Sequence, residues 1–258
     1  MNYFFFTHAE IYQSKLTIPK YQNFGQKHDK ICLFGARALY DGWDFYQPKC
    51  EENEFFFHVY SNSENAHDVF FLCEEDDFRH QVTQGHLVEL NEFTNTSPAF
   101  RANLCVSHGR FQSSYQSEYP LAMARRDGFV MNVASLLFDE EAVRGTLSLR
   151  NISASGAGIE REVVFFDLED EKELSRLPLM TNSTNLINLE FIRGYQAIGF
   201  IANLMAIPVF CLEYASGSLS FEHTHPPHEH VGPSSAFQVV KKKREELVEK
   251  FFKKSFTK

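Results

Sequence analysis

The chain has 258 residues, a formal net charge of −9 and a hydrophobic fraction of 43%, a balance that excludes a disordered protein and leaves room for one large domain or two of about 100 to 130 residues. The charge is uneven: residues 241–258 hold eight Lys or Arg against Glu245, Glu246 and Glu249, a surplus of +5 that leaves −14 for the rest. Such an acidic body excludes nucleic-acid binding over a broad face, which needs clustered cations. The 27 Phe and ten Tyr against one Trp favour pleated, half-buried surfaces and predict a mostly β chain. Cys32, Cys50, Cys73, Cys105 and Cys211 are odd in number and lack CxxC spacing, and MNYFFFTHAE has no basic stretch before an apolar one. Together these predict an intracellular, cytoplasmic protein with reduced thiols.

In chain order, FFFTHAEIYQSKLTIP (residues 4–19) reads as strand, small-residue turn and strand, with Pro19 closing the second because it cannot donate to a ladder. LFGARALYD (33–41), FFFHVYSNS (55–63), DVFFLCEEDD (68–77) and HLVELNEF (86–93) follow as apolar or alternating runs broken by polar turns. CVSHGRFQSSYQSEYP (105–120) then repeats the pattern of residues 4–19. MNVASLLFD (131–139), GTLSLRNIS (145–153), EVVFFDLEDE (162–171) and NLINLEF (185–191) match the earlier four in the same order at offsets from 90 to 99, and CLEYASGSLSFEHTHP (211–226) matches residues 105–120 at a constant 106. This self-similarity predicts an internal duplication.

The short strands, Asn/Ser turns and closing alternating strand of each unit resemble an immunoglobulin-like or arrestin-like β-sandwich in pattern, without a cysteine pair flanking a core Trp. The expectation is therefore an all-β chain of two tandem, internally duplicated sandwich modules joined by hairpins: residues 1–98, residues 99–232, and a basic amphipathic C-terminal helix over 233–258. In that helix Ser234 or Ser235 is the candidate N-cap, and Val240, Leu247, Val248, Phe251 and Phe252 form one apolar stripe. Residues 194–212 carry no formal charge and approach the length of a membrane span. Two glycines, Asn203 and Pro208 suit two buried strands broken near Asn203 instead, so no transmembrane segment is expected.

The sharpest chemical feature is FEHTHPPHEHV, which offers His223, His225, His228 and His230 beside Glu222 and Glu229. Imidazoles at His-x-His spacing on a strand share a face and suit a divalent transition metal, with a carboxylate as further ligand. The same segment has a structural reason to exist, because its counterparts at His223 and His225 are Ser117 and Tyr119. His8 and His108 hold equivalent turn positions, read either as polar turn residues or as a histidine site shared between modules. The runs Glu74–Asp77 and 169–171 lack the glycine and alternating ligands of a calcium loop and read as solvated turns. SGAGIE (155–160) leads from strand to strand, not into the helix that phosphate-binding glycines require. Cys105 and Cys211 lie in apolar runs as core thiols.

The leading functional reading is a non-enzymatic protein-interaction or scaffold protein that binds a protein partner, or another copy of itself, through sheet edges and the C-terminal helix. The alternatives are a metal-dependent enzyme using His223, His225 and His228 or His230, and a small-ligand or carbohydrate-binding module. The last is disfavoured because Trp43 is the one indole available for stacking.

Overall fold

Apolar residues recur along this chain in two ways, and each produces its own kind of strand. In VFFLC, residues 69–73, every side chain is buried, as expected of a strand covered on both faces. In QSKLTIP, residues 13–19, burial alternates so that Ser14, Leu16 and Ile18 face inward, as expected of a strand with one wet face. The computed structural model describes residues 2–23, 26–27, 30–88, 101–132, 139–223 and 234–253. In chain order it contains β1 (Asn2–Phe5), β2 (Gln13–Pro19), β3 (Tyr21–Asn23), β4 (Gln26–Lys27), β5 (Cys32–Ala38), β6 (Trp43–Tyr46), β7 (Glu51–Glu52), β8 (Phe56–Tyr60), β9 (Val69–Cys73) and helix α1 (Glu75–Gln84). Next come β10 (Ala102–His108), β11 (Phe111–Ser117), β12 (Tyr119–Pro120) and the one-turn helix α2 (Leu121–Ala124). The chain continues with β13 (Val130–Asn132), β14 (Ala142–Arg150), β15 (Glu160–Asp167), β16 (Glu173–Met180), β17 (Thr184–Asn188), β18 (Ile198–Ala202), β19 (Ile207–Tyr214), β20 (Leu219–His223) and helix α3 (Ser234–Phe252).

Apart from the small β3–β4 ribbon, these strands form four antiparallel sheets, in the orders β12-β1-β9-β5-β6, β11-β10-β2-β8-β7, β13-β18-β15-β16 and β17-β14-β19-β20. The sheets are arranged as a four-bladed β-propeller, with 48% of residues in strands and 15% in helices. This corrects the expectation of two tandem immunoglobulin-like or arrestin-like sandwiches. Residues 33–38, 56–60, 69–73, 145–150, 162–167 and 185–188 are strands as read, whereas 190–192 form a 3-10 helix and 89–93 and 133–138 lie outside the described residues; alternation reports only that one face is covered, and a neighbouring blade covers it as well as the second sheet of a sandwich does. Residues 4–19 show the error most directly. β1 pairs with β9 and β12 while β2 pairs with β8 and β10, so the expected first hairpin is two strands in different sheets, parted by a turn in which His8 adopts φ 56°. The other two joining segments are hairpins, β10–β11 and β19–β20.

Apolar faces join the blades. One cluster gathers Phe4, Phe5 and Phe70 from the first sheet, Leu16, Val59 and Leu104 from the second, and Ile207, Val209 and Cys211 from the fourth. Another joins Val163, Phe165 and Phe200 of the third sheet to Leu147, Leu149 and Ile187 of the fourth. Helices cover two outer faces: Phe78 of α1 stacks on Phe34 at 3.8 Å between ring centroids, and Leu247, Val248 and Phe251 of α3 pack on Val164, Phe166 and Ile201. The uncharged stretch is β18 and β19, broken at Asn203, whose backbone and side chain both bond to the Glu162 backbone. No helix among the described residues is long and apolar enough to cross a membrane.

Candidate functional site

Of the sequence-derived metal ligands, His223 ends β20, opposite Val209, and His225, His228 and His230 lie outside the described residues, as does Glu229. Glu222 is exposed on the same strand. Among the described residues no group of three or more His, Cys, Asp or Glu is arranged to hold a metal ion.

The two equivalent histidines do come together. Tyr12 stands between them, its ring stacked 6.5 Å from His8 and tilted 5.4 Å from His108. The Tyr12 hydroxyl donates to Glu213 Oε2 at 2.7 Å, and Glu213 also lies 3.5 Å from His108 Nδ1 and 3.5 Å from an Arg144 guanidinium nitrogen. His108 is half exposed, whereas His8 is buried, with Nδ1 3.2 Å from the Thr7 hydroxyl and no partner for Nε2 among the described residues. Burial lowers the His8 pKa to about 3, raises that of Tyr12, and pushes the Cys211 thiol beside them up to about 12. Burial thus disfavours the charged form of each group, the imidazolium, the phenolate and the thiolate alike. The arrangement ties the β1–β2 connection and the second sheet to the fourth. Sequence reasoning found the histidines but not Tyr12 or Glu213.

The acidic runs have structural partners. Glu75, Asp76 and Asp77 form the first turn of α1, where negative charge complements the helix dipole. Glu171 closes the β15–β16 turn and grips Lys243 and Lys250 of α3, so the basic tail is drawn to its own body. Trp43 is buried, and its indole N–H donates at 3.2 Å to the Ser153 and Ala154 carbonyls, which removes it as a sugar-stacking platform.

Among the described residues, two surfaces are open to a partner or a ligand. On the outer face of the second sheet, β8 turns Phe57 and Val59 inward, leaving Phe56, His58 and Tyr60 outward with Phe55 beside them. Tyr60 and Phe55 are about half exposed, the Phe56 and His58 rings are 6.0 Å apart, and the strand beyond is the two-residue β7, with Glu51, Glu52 and Glu54 exposed. The second surface is a cleft of about 410 Å³. Arg125 and Arg126 after α2, Asp127, and Arg161 on β15 supply its charge; Ser153, Ser155, Asn151 and Thr181 supply polar groups; Ile152, Ile159, Leu204 and Met205 supply apolar walls.

The cleft wall is fixed from several sides. Ser153 N–H donates to Asn182 Oδ1 at 2.6 Å, Ala154 N–H to the Ala124 carbonyl at 2.8 Å, and Asn151 Nδ2 to the Met205 carbonyl at 2.6 Å. Gly156 follows at φ 75°, where a Cβ would lie 2.4 Å from the Gly42 backbone, so only glycine fits that turn. No family model, curated protein or solved structure matches the chain.

Proposed function

We propose that this chain is a non-enzymatic, intracellular interaction protein whose second sheet docks a partner protein. The supporting observation is the outward stripe Phe56–His58–Tyr60 with Phe55, next to an edge strand of two residues. Aromatic side chains offer large contact area at low entropic cost and dominate interface energetics. The open side of β8 is taken up by β7, Asn53 and Asn65, so the aromatic side chains, and not a free strand edge, offer the contact. The carboxylates of Glu51, Glu52 and Glu54 at its rim favour a partner segment with apolar side chains and basic flanks. All five cysteines are unpaired, in keeping with a reducing compartment. The helix α3 takes no part, since its apolar stripe is already buried against β15 and β18.

Crosslinking in source-cell extract, read by mass spectrometry, tests the proposal. Wild-type protein should give one stoichiometric partner crosslinked within residues 51–60, and a folded Phe56→Ser/Tyr60→Ser double variant should lose it at least about tenfold, the effect of removing about 1.4 kcal/mol or more. Retention of the same partner by the variant, or turnover of a substrate by the purified chain, refutes it.

A further inference from the structure

We propose that Cys32 and Cys73 are a redox modification site, at which a peroxide joins the two thiols in a disulfide that staples β5 to β9 within the native fold. The two residues are direct partners across that strand pair: Cys32 lies opposite Cys73, Leu33 opposite Leu72 and Phe34 opposite Phe71. Opposed residues of an antiparallel pair point to one face of the sheet, with Cα atoms about 4.5 or 5.5 Å apart according to the hydrogen-bonding pattern. Both spacings fall within the roughly 4.4–6.8 Å that a disulfide spans, and Cβ atoms at about 4.5–5.5 Å need to approach by at most about 2 Å. Both cysteines stand at strand ends, where such a movement disturbs the fewest ladder bonds. Among the described strands no other two cysteines are opposed: Cys105 faces Ser114 and Lys15, Cys211 faces Thr146 and Phe221, and Cys50 lies outside the strands.

The surroundings assign the order of events. Two residues further along, Phe34 lies against Phe71 and stacks on Phe78 of α1, so this face of the sheet runs under the helix and its acidic first turn. Burial, then Glu75 and Glu52, raises the Cys32 pKa; burial, then Asp77, the Cys32 sulfur itself and Glu74, raises that of Cys73. Cys73 is buried, whereas Cys32 is half-buried with its thiol donating to the Lys30 carbonyl at 3.8 Å, so a peroxide from solvent meets Cys32 first. The Cys32 thiolate attacks one peroxide oxygen and the O–O bond breaks; the departing hydroxide takes up the proton that Cys32 released and leaves as water, and a sulfenic acid remains. The Cys73 sulfur then attacks the Cys32 sulfur, the S–O bond breaks, and a second water carries off the Cys73 proton. Two thiols thus give two electrons to one hydrogen peroxide. The new bond closes a loop of about 40 residues from β5 to β9, which restricts the unfolded chain more than the folded one.

Treatment of the folded full chain with hydrogen peroxide, then alkylation of the remaining thiols and peptide mapping by mass spectrometry, tests the site. The Cys32–Cys73 linkage should exceed every other cysteine linkage at least about tenfold. Its rate should rise at least about tenfold from about pH 7 to about pH 8.5, as the thiolate fraction grows. Oxidation should raise the thermal midpoint by at least about 3 °C, and dithiothreitol should return it. In Cys32→Ser the buried Cys73 should stay reduced and the midpoint should no longer shift; if that variant does not fold, mapping of the wild type decides. Linkage of Cys32 to Cys50, whose thiol also senses Glu52, linkage between two chains, linkage only in urea, or no linkage overturns the site. A pH-independent rate, or a midpoint that oxidation leaves unchanged or lowers, overturns it as well.

Discussion

At the scale of single residues, His8 carries the clearest pH dependence. Its pKa falls from 6.5 in the unfolded chain to about 3 in the fold, with burial as the cause. As pH drops below about 6.5 the unfolded chain takes up the proton first, so stability declines by about 1.4 kcal/mol per pH unit until the folded value is reached. His67 shifts the same way, also through burial. Wild-type protein should therefore lose at least about 1 kcal/mol between about pH 7.5 and about pH 5.5, measured by urea unfolding. His8→Asn, which tolerates the positive φ of that position, should flatten most of that slope, and an unchanged slope would contradict the assignment. The sequence showed His8 and His108 as equivalents because their turns look alike. It could not show the Tyr12–Glu213 bond between them, because its partners are 201 residues apart and hold different places in their repeated segments.

Among the elements, α3 combines packing and charge, and the two are separable. Leu247 and Val248 are fully buried against Val164, Phe166 and Ile201, whereas Lys243 and Lys250 hold Glu171 near the surface. Arg176 adds a bond to the Phe251 carbonyl at 3.1 Å, satisfying a group at the helix end. Leu247→Ala should cost about 2–4 kcal/mol, and Lys243→Gln/Lys250→Gln less than about 1 kcal/mol, both read from denaturant midpoints; the reverse order would mean that charge, not the apolar stripe, seats the helix. The stripe was legible from its helical spacing, and the net charges of tail and body already implied attraction. Its seat was not, because β15 reads as a continuous apolar run whichever of its faces a helix covers. The acidic run at Glu74–Asp77, read as a solvated turn, opens α1 because Phe78 has Phe34 to stack on, a contact between segments remote in sequence.

At the scale of the whole molecule, local pattern gave strands, turns and their depth, but pairing decides which sheet a strand joins. Arg150 marks where that decision is enforced. It is fully buried on β14, donates to the His67 carbonyl at 2.8 Å and to the Thr184 hydroxyl at 3.2 Å, and lies over the Phe5 ring, while Thr184 donates onward to the Phe6 carbonyl. Burial brings its pKa down to about 10, so it stays charged at neutral pH. Arg150→Ala should cost about 2–4 kcal/mol by leaving two acceptors unpaired and a void behind, and a loss below about 1 kcal/mol in chemical denaturation would show that the fourth sheet seats on the first without it. The same wiring bears on synthesis. Tyr3, Phe4, Phe5 and Phe6 are fully buried, yet Tyr3 pairs with Tyr119, Phe6 accepts from Thr184, and Tyr12 donates to Glu213. At about 5–20 residues per second, the 201 residues from Tyr12 to Glu213 take about 10–40 s to translate. For that interval a run of four aromatic side chains has left the ribosome without all of its eventual cover, which makes the nascent chain a client for whatever holds apolar segments apart in the cell.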